Sequence, residues 1–322
     1  MPAVSVVMAA YNVAPYIGRA IESVLNQTYG DLELLVVDDG ATDDTAEIAA
    51  RYASHEARVR VISQANAGIS SARNHGLRVA RGLVVAILDS DDAWAPSYLQ
   101  AQVGILDAHP EVDIVTGNAW FLGSRLNRAP ARPWPDRRPA PTLAGMLADE
   151  TAVFIMSVFR RRVYESIGPF DETLCTNEDY DFWLRAACQG FVFYRNDTPL
   201  GYYRRRDDSL SADELRMLPG ILRVFRKLRP HVLNHPSELA ILDAQVARFE
   251  IEYLAAEARG AIESRDYAAA RPHLSNLHDR RGGAVLRVAR FMARWTPALL
   301  STVYNHRRMR LAVSRAGRNG TT

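Results

Sequence analysis

Three carboxylates follow an apolar run and stand within four residues of one another. The run covers residues 83–88 and is rich in β-branched side chains, and Asp89, Asp91 and Asp92 come after it. Such a run is typical of a strand buried on both faces of a sheet. Carboxylates this close repel one another unless a cation or a donor-rich ligand lies among their oxygens. The Asp89-x-Asp91 spacing therefore indicates a site for one hard divalent ion. The alternative is a solvated acidic turn that caps the next helix.

Two other predicted strands also end in polar side chains. Residues 4–10 are followed by Tyr11-Asn12, and residues 32–37 by Asp38-Asp39. These strands alternate with predicted helices roughly every 25–30 residues, a pattern that specifies an α/β unit with a mainly parallel sheet. Ligands of such sheets bind beyond the carboxyl ends of the strands. Because parallel strands end at the same edge, we expect the three polar clusters to form one ligand site.

The remaining pattern continues this alternation and then changes. Further strands are predicted at 59–62, 113–121, 152–159, 191–194 and 200–203, and helices at 15–26, 42–53, 70–80, 96–109, 142–147 and 178–188. From about residue 215 only helical periodicity is present, including a long helix over 241–262. We therefore predict an α/β domain over 1–212 and an all-helical region over 213–322.

Composition restricts the cellular location and the kinds of cysteine site that we expect. The chain is 48% hydrophobic and 24% charged, as in ordinary soluble globular proteins. It begins without a signal-peptide pattern and has no apolar run long enough to span a membrane, so we expect a cytoplasmic protein. Its two cysteines, Cys175 and Cys188, cannot supply a disulfide framework or a cysteine zinc cluster.

Several enzyme classes lack their required residues in this sequence. No G-x-G-x-x-G follows the first strand, and the single lysine, Lys227, does not belong to a phosphate-binding G-K-[ST] loop. No G-x-S-x-G elbow is present. The arginine-rich tail has neither interleaved aromatics nor a recognised module, so no nucleic-acid partner is expected.

In order along the chain, a series of motifs resembles the inverting family 2 glycosyltransferases of the GT-A fold. The landmarks are the opening Val4–Asn12, Asp38-Asp39-Gly40, Asn66-x-Gly68, Ala72-Arg73-Asn74-x-Gly76, Asp89-Ser90-Asp91-Asp92 and Asn177 to Arg185. The resemblance covers about the first 210 residues. It implies a Rossmann-like, mixed but mainly parallel sheet, and transfer of a sugar from a nucleoside-diphosphate donor to an acceptor hydroxyl.

The resemblance also assigns residues to the donor. Tyr11 would pack against the base, Asp39 would accept a hydrogen bond from a uracil N–H, and Arg73 would lie near the base and the acidic cluster. The donor-side residues that it implies are Ala10, Tyr11, Asn12, Asp39, Asn66, Gly68, Arg73, Asp89, Ser90 and Arg206. Taken alone, Tyr11 could equally be a core aromatic, Asp39 a turn residue, and Arg73 part of a surface salt bridge.

The same resemblance also assigns the metal ligands and the general base. Asp91 would bind Mn²⁺ or Mg²⁺ at the diphosphate, with Asp89 at the ion or the ribose. Asp179, with Glu178 beside it, would be the general base that deprotonates the acceptor as configuration inverts. An acidic pair is also favoured at a helix N-terminus by the helix dipole alone.

Other assignments are less direct. Tyr180 and Trp183 are acceptor-side candidates, although a core position is favoured for Trp183. Arg206 stands where many relatives have a histidine; an arginine can hold a diphosphate but is a poor metal ligand. The basic amphipathic helix over Val285–Trp295 could contact an anionic membrane peripherally at the inner face of the cell membrane, although such a helix more often docks on its own domain with a solvated polar face.

Two rival functions fit a similar sheet. A catalytically silent nucleotide-sugar-binding module could keep the fold, but Asp39, Asp91 and Asp179 are all present. A nucleotidyltransferase would need a basic phosphate-activating loop after the first strand, where this chain has Ala9-Ala10-Tyr11-Asn12. These motifs specify neither the donor sugar nor the acceptor. Assays across a panel of nucleotide sugars would identify the donor.

Overall fold

A computed structural model describes residues 1–123, 128–136, 138–205, 213–300 and 302–304. Its chain forms two compact units. The first, unit 1, consists of Met1–Ala212 and Arg223–Asp243, and the second, unit 2, of Asp213–Leu222 and Ala244–Thr322. The domain boundary between residues 212 and 213 stays a prediction.

Eight strands of the described chain form one sheet in the order β3-β2-β1-β4-β7-β6-β8-β5. Their bounds are β1 Val4–Ala10, β2 Leu32–Asp38, β3 Val59–Ser63, β4 Val84–Ile87, β5 Ala93–Trp94, β6 Ile114–Leu122, β7 Ser157–Arg160 and β8 Phe193–Arg204. Strands β1 to β4 pair in parallel, as do β6 and β8. Strand β7 is antiparallel to both β4 and β6, and β5 is antiparallel to β8.

The described chain also contains eleven α-helices. They are α1 Ala14–Leu25, α2 Thr45–His55, α3 Ile69–Val79, α4 Tyr98–Ala108, α5 Leu143–Ala148, α6 Arg161–Ile167, α7 Glu178–Cys188, α8 Glu214–Leu228, α9 Pro236–Glu263, α10 Tyr267–Arg281 and α11 Ala284–Trp295. A 3-10 helix, Arg229–Val232, follows α8. The predicted fold class, a mixed and mainly parallel sheet flanked by helices with an all-helical C-terminal region, is confirmed.

The core of unit 1 explains why the first strands are apolar. Strand β2 is buried at every residue, and α1 packs its buried side chains into the same cluster. Helix α3 approaches β1 so closely that a Cβ at Gly76 would lie 2.5 Å from Val7 Cγ1. Only glycine fits at this crossing. Because it has no side chain, the preceding turn of α3 can lie close to the strands.

Two strand predictions were wrong in detail. Residues 191–194 and 200–203 were predicted as separate strands, but one strand, β8, runs from the middle of the first segment through the whole of the second. The pairing of β6 with β8 shifts register around Asn118, whose Nδ2 donates to Asp197 O. This side-chain bond bridges the irregularity, so the strand continues through a polar stretch that lacks strand periodicity. The two-residue strand β5 was not predicted because so short an element has no periodicity.

Unit 2 has its own small core, made by α9, α10, α11 and the residues that follow. Ala258, Ile262, Leu274, Leu277 and Met292 are among its buried side chains. Asp266 caps α10 by accepting a hydrogen bond from Ala269 N at 3.0 Å. Among the described helices, none combines the length and the apolar character that a membrane span requires.

Candidate functional site

The three polar clusters predicted to converge follow adjacent strands of the sheet. Strand β1 lies between β2 and β4, and Ala10 is in register with Asp38. Backbone hydrogen bonds from Asp39 N to Ala10 O and from Leu88 N to Val7 O extend these pairings past the strand ends. Tyr11, Asp39 and Asp89 therefore emerge at one edge of the sheet.

Asp39 is buried and organises the loop that precedes α3. Its Oδ1 accepts hydrogen bonds from Gln64 Nε2 at 2.8 Å and Ala67 N at 2.9 Å, and its Oδ2 accepts from Gly68 N at 2.9 Å. Gly40, with φ of +72°, allows the turn, since a Cβ there would lie 2.8 Å from Asn66 N. Of about four lone-pair positions on a carboxylate, about one remains for a further donor.

The end of β1 is shaped by Asn12. This residue has a positive φ of 51°, and its Oδ1 accepts a hydrogen bond from Thr42 N at 2.8 Å. Asparagine tolerates this left-handed backbone, which turns the chain away from the sheet. Ala10 is buried, whereas Tyr11 is 48% exposed, so Tyr11 is not a core aromatic.

The acidic cluster after β4 is partly buried, which excludes a fully solvated turn. Ser90 and Asp92 are buried, and the side chain of Asp89 is 25% exposed. Asp92 Oδ1 accepts a hydrogen bond from Arg204 N at 2.7 Å. Burial, together with the charges of Asp89 and Asp91, raises the pKa of Asp92 well above its ordinary value. Asp92 therefore ties the cluster to β8.

Arg73 joins two motifs that are far apart in sequence. Its side chain is 2% exposed; Nη2 donates to Asp89 Oδ1 at 2.7 Å and Nη1 donates to Glu178 Oε1 at 2.7 Å. The guanidinium also lies over the Phe170 ring, 5.5 Å from its centroid. Burial alone would lower the pKa of Arg73, but Asp89, Glu178 and Asp179 raise it. Arg73 is thus a buried bridge and not a surface salt bridge.

Glu178 and Asp179 begin α7, as the sequence predicts. Asn177 adopts a left-handed conformation, with φ of 58°, directly before them. Desolvation and the charge of Glu178 raise the pKa of Asp179 to about 7, although Arg73 acts in the opposite direction. A carboxyl that titrates near neutral pH is suited to accept a proton from a hydroxyl.

Asn74 fixes the segment that leads to α7, a role not assigned from the sequence. Phe170 N donates to Asn74 Oδ1 at 2.8 Å, and Asn74 Nδ2 donates to Phe170 O at 2.9 Å. The signal was available, because Asn74 lies in the motif beside Arg73. Arg204 was also missed: its Nε donates to Asp91 O at 2.9 Å, and its guanidinium lies over the Tyr16 ring.

The donor set of the acidic cluster fits a hard cation that keeps other ligands. Asp89 and Asp91 offer carboxylate oxygens, and Asp92 Oδ2 is buried with no hydrogen-bond partner within the described part of the chain. No group of three or more potential ligands among the described residues is arranged to hold a metal by itself. Mg²⁺ and similar ions are commonly held by one or two carboxylates plus substrate phosphates and water.

The two acceptor-side candidates, Tyr180 and Trp183, are both buried in unit 1. Trp183 has 0% exposure and packs against Phe159, Phe182 and Phe193. Tyr180 is buried, and its hydroxyl donates to Met146 O at 2.8 Å. Both side chains hold α7 in the core of unit 1, so neither is available to an acceptor in this structure.

Most of the predicted donor-side residues lie together. Asn66 and Gly68 are exposed on the loop that Asp39 holds, and Ser90 is buried beside Asp89. Arg206 lies outside the described residues, so its role at the diphosphate stays a prediction.

The model of the family described as Glycosyl transferase family 2 matches residues 5–168. That match covers half of the chain. The chain belongs to glycosyl transferase family 2. It is 35% identical over 221 residues to the uncharacterized glycosyltransferase EpsJ of Bacillus subtilis, which covers 66% of this chain and 63% of EpsJ. It is 33% identical over 192 residues to a chondroitin synthase of Escherichia coli, over 58% of this chain and 27% of that protein. The chain therefore spans less than two thirds of either relative.

Solved structures of similar fold include two glycosyltransferase complexes. S. aureus TarS 1-349 in complex with UDP-GlcNAc superposes with a TM-score of 0.65 at 22% identity, over 95% of this chain and 91% of that one. The mannosyltransferase PcManGT from Pyrobaculum calidifontis, in complex with GDP-Man and Mn²⁺, gives 0.61 at 21% identity, over 94% and 87%. The fold is the GT-A type that the sequence predicts.

Proposed function

We propose that this family 2 glycosyltransferase moves a sugar from a nucleoside-diphosphate donor to an acceptor hydroxyl with inversion of configuration. The observation that carries the proposal is the Arg73 bridge. It brings Asp89, at the end of β4, and Glu178, at the start of α7, onto one guanidinium with 2.7 Å contacts to each. In our proposal, the carboxylate on the donor side and the carboxylate beside the general base therefore belong to one site.

UDP is the donor nucleotide favoured by the residues that are expected to contact the nucleobase. The exposed Tyr11 ring offers a π-face for a base to stack on. Asp39 holds the loop of Asn66 and Gly68 with three hydrogen bonds and keeps acceptor capacity for a uracil N–H. The named complex of TarS with UDP-GlcNAc agrees with this choice, whereas that of PcManGT with GDP-Man makes guanosine the nucleotide to test against it.

Asp91 and Asp89 would hold Mn²⁺ or Mg²⁺ at the diphosphate. When bound, the ion would neutralise the charge that develops on the leaving nucleoside diphosphate. Arg73 keeps Asp89 oriented toward the strand end, and Arg204 fixes the backbone at Asp91. The Mn²⁺ in the PcManGT complex supports a divalent ion in this fold.

Asp179 would take the proton from the acceptor hydroxyl as that oxygen attacks the anomeric carbon. The attack comes from the side opposite the leaving group, so a single displacement inverts the configuration without a covalent enzyme intermediate. Glu178 is the positioning residue, because it links α7 to Arg73. The acceptor belongs, in our proposal, to a polysaccharide, a cell-surface glycan or a lipid-linked glycan made at the cytoplasmic side.

The first test measures donor binding by the full chain. We expect UDP with Mn²⁺ to raise the melting temperature more than either alone, and Asp91→Asn to abolish that gain. Asp44→Asn is the matched control, because Asp44 is an exposed acidic residue outside the site. No shift with UDP or GDP in the presence of either metal would reject the donor site.

The second test separates transfer from its rivals. Donor hydrolysis and transfer would be measured across a panel of UDP- and GDP-sugars, with the anomeric configuration of the product determined by NMR. Binding without turnover of any sugar would favour a silent module. Release of pyrophosphate from a nucleoside triphosphate and a sugar phosphate would favour a nucleotidyltransferase. A product that retains the donor configuration would reject the single displacement.

A further inference from the structure

One side of α11 carries large apolar side chains that are exposed. Val285, Val288, Phe291 and Trp295 recur at helical spacing, and Phe291 and Trp295 are 61% and 64% exposed. A different side of the same helix, with Met292 and Ala293 buried, packs into the core of unit 2. The helix therefore docks on its own unit and still leaves an apolar stripe outside, which we call the α11 stripe.

A row of arginines runs beside the α11 stripe. Arg287, Arg290 and Arg294 are exposed, and no residue of α11 is acidic. Arg290 Nη1 lies 3.9 Å from Asp279 Oδ1, and the Arg294 guanidinium lies 5.2 Å from the centroid of the Trp295 ring. The sequence from residue 280 to 322 contains ten arginines and no Asp or Glu. The charge carried by α11 itself is thus wholly positive.

We propose that the α11 stripe and its arginines form a docking surface for an anionic lipid membrane. Helices with an apolar aromatic side and arginines next to it lie in the plane of the interface, with the apolar side chains among the acyl chains. Arginine stems can extend along that boundary and place their charge among anionic headgroups. At 12 residues, about 18 Å, α11 suits lying along the surface.

The charge pattern favours this occupant over a second copy of the chain. Two copies facing each other through the stripe would bring two rows of arginines together, with no acidic residue of α11 to pair with them. Like charges across an interface oppose association. This surface goes beyond the proposed transferase activity, because its arguments use only residues of unit 2.

Vesicle binding by the full chain tests the proposal. We expect sedimentation with vesicles of 70% phosphatidylcholine and 30% phosphatidylglycerol to exceed that with pure phosphatidylcholine by about tenfold, and to weaken at high salt. The Phe291→Ser/Trp295→Ser double variant should lose about tenfold of the binding, as should Arg287→Gln/Arg294→Gln. In the wild type, Trp295 fluorescence should be quenched by brominated lipids, and Trp295→Phe should remove that quenching while it keeps binding.

Matched controls separate the surface from general stickiness and misfolding. Leu233→Ser removes another exposed apolar side chain, and Arg51→Gln/Arg226→Gln removes two exposed arginines elsewhere; both should bind like the wild type. Circular dichroism melts confirm that each variant folds. The proposal is overturned if the wild type does not sediment, or if the α11 variants bind as well as it does. Self-association that Phe291→Ser/Trp295→Ser abolishes would make a second copy the occupant, and binding to polyglutamate but not to vesicles would indicate an acidic protein.

Discussion

Unit 1 contains two arginine–carboxylate networks at opposite ends of its central strands, one around the buried Glu33 and one around the buried Arg73. At the amino end, Glu33 accepts hydrogen bonds from Ser5 Oγ, from the backbone and side chain of Arg81, and from Arg60 Nη1. Burial would raise the pKa of Glu33, but these bonds lower it. Both carboxylate oxygens of Glu33 thus already accept hydrogen bonds from the protein, and neither remains to bind a ligand.

The network at the carboxyl end is satisfied incompletely. Arg73 Nε and Asp92 Oδ2 are buried without a hydrogen-bond partner in the described residues, and the pKa values of Asp92 and Asp179 are both raised. The same chemical groups thus stabilise the fold at one end and leave unmet binding capacity at the other. Buried polar atoms without partners and raised pKa values are found together at many functional sites, which agrees with the proposed donor site.

The largest effect that would distinguish the two ends is expected from Asp179→Asn. Loss of the general base should lower kcat by about 10³-fold, within the usual range for positioned proton transfer, while the UDP–Mn²⁺ thermal shift persists. Steady-state kinetics with a competent donor and acceptor measure the change. Transfer at the wild-type rate would mean that another group is the base.

The same carboxylate-to-amide change at the other end, Glu33→Gln, should act on stability. We expect a loss of about 2 kcal/mol in the free energy of unfolding, because Arg60 and Arg81 lose their shared buried partner but remain largely solvated. Urea unfolding measures it, and kcat per folded molecule should be unchanged. If Glu33→Gln reduced kcat as strongly as Asp179→Asn, the division between the two ends would be wrong.

The raised pKa of Asp179 also makes stability depend on pH. In the folded chain Asp179 titrates near pH 7 instead of near 3.8, so its contribution to stability is complete below about pH 4 and is lost as pH rises through 7. Without ligand, Asp179→Asn should therefore gain about 2–3 kcal/mol relative to wild type between pH 5 and pH 8. Urea unfolding of both proteins at these pH values tests this; a constant difference would contradict the assignment.

The smallest expected effect is on the affinity for the donor nucleotide. Tyr11→Ala should weaken UDP binding about tenfold, since it removes an exposed stacking surface, and should leave the melting temperature of the free chain within about 1 °C. Calorimetric titration gives the affinity. Tyr16→Ala is an informative contrast, because Tyr16 lies under Arg204 and contacts the core; it should lower stability. Equal UDP affinity in Tyr11→Ala would exclude base stacking.

Periodicity was sufficient to predict the elements that are long and regular. The strand run before Asp89 and the helix that begins at Glu178 were both located from the sequence, and α7 has the predicted bounds. Strand β8 was divided wrongly because side-chain bonds from Asn118, and not an apolar pattern, carry it across its polar middle. Local patterns cannot report such a bond between distant residues.

The site was predictable as a set of clusters but not as a network. Parallel strands required Tyr11, Asp39 and Asp89 to share an edge. Nothing in the spacing required Arg73 to be buried and to bind both Asp89 and Glu178, since an arginine on a helix is ordinarily exposed. The burial of Trp183, in contrast, agrees with the core position that the sequence favours for it.

The bond from Arg73 to Glu178 closes a loop of 105 residues. Bringing such distant residues together costs chain entropy that only the packed sheet between them can offset. The family match ends at residue 168, before Glu178, so a fragment with those bounds would lack one end of this closure. We therefore expect the bridge to form late in folding, which makes an intact Arg73–Glu178 contact a reporter that unit 1 has completed its assembly.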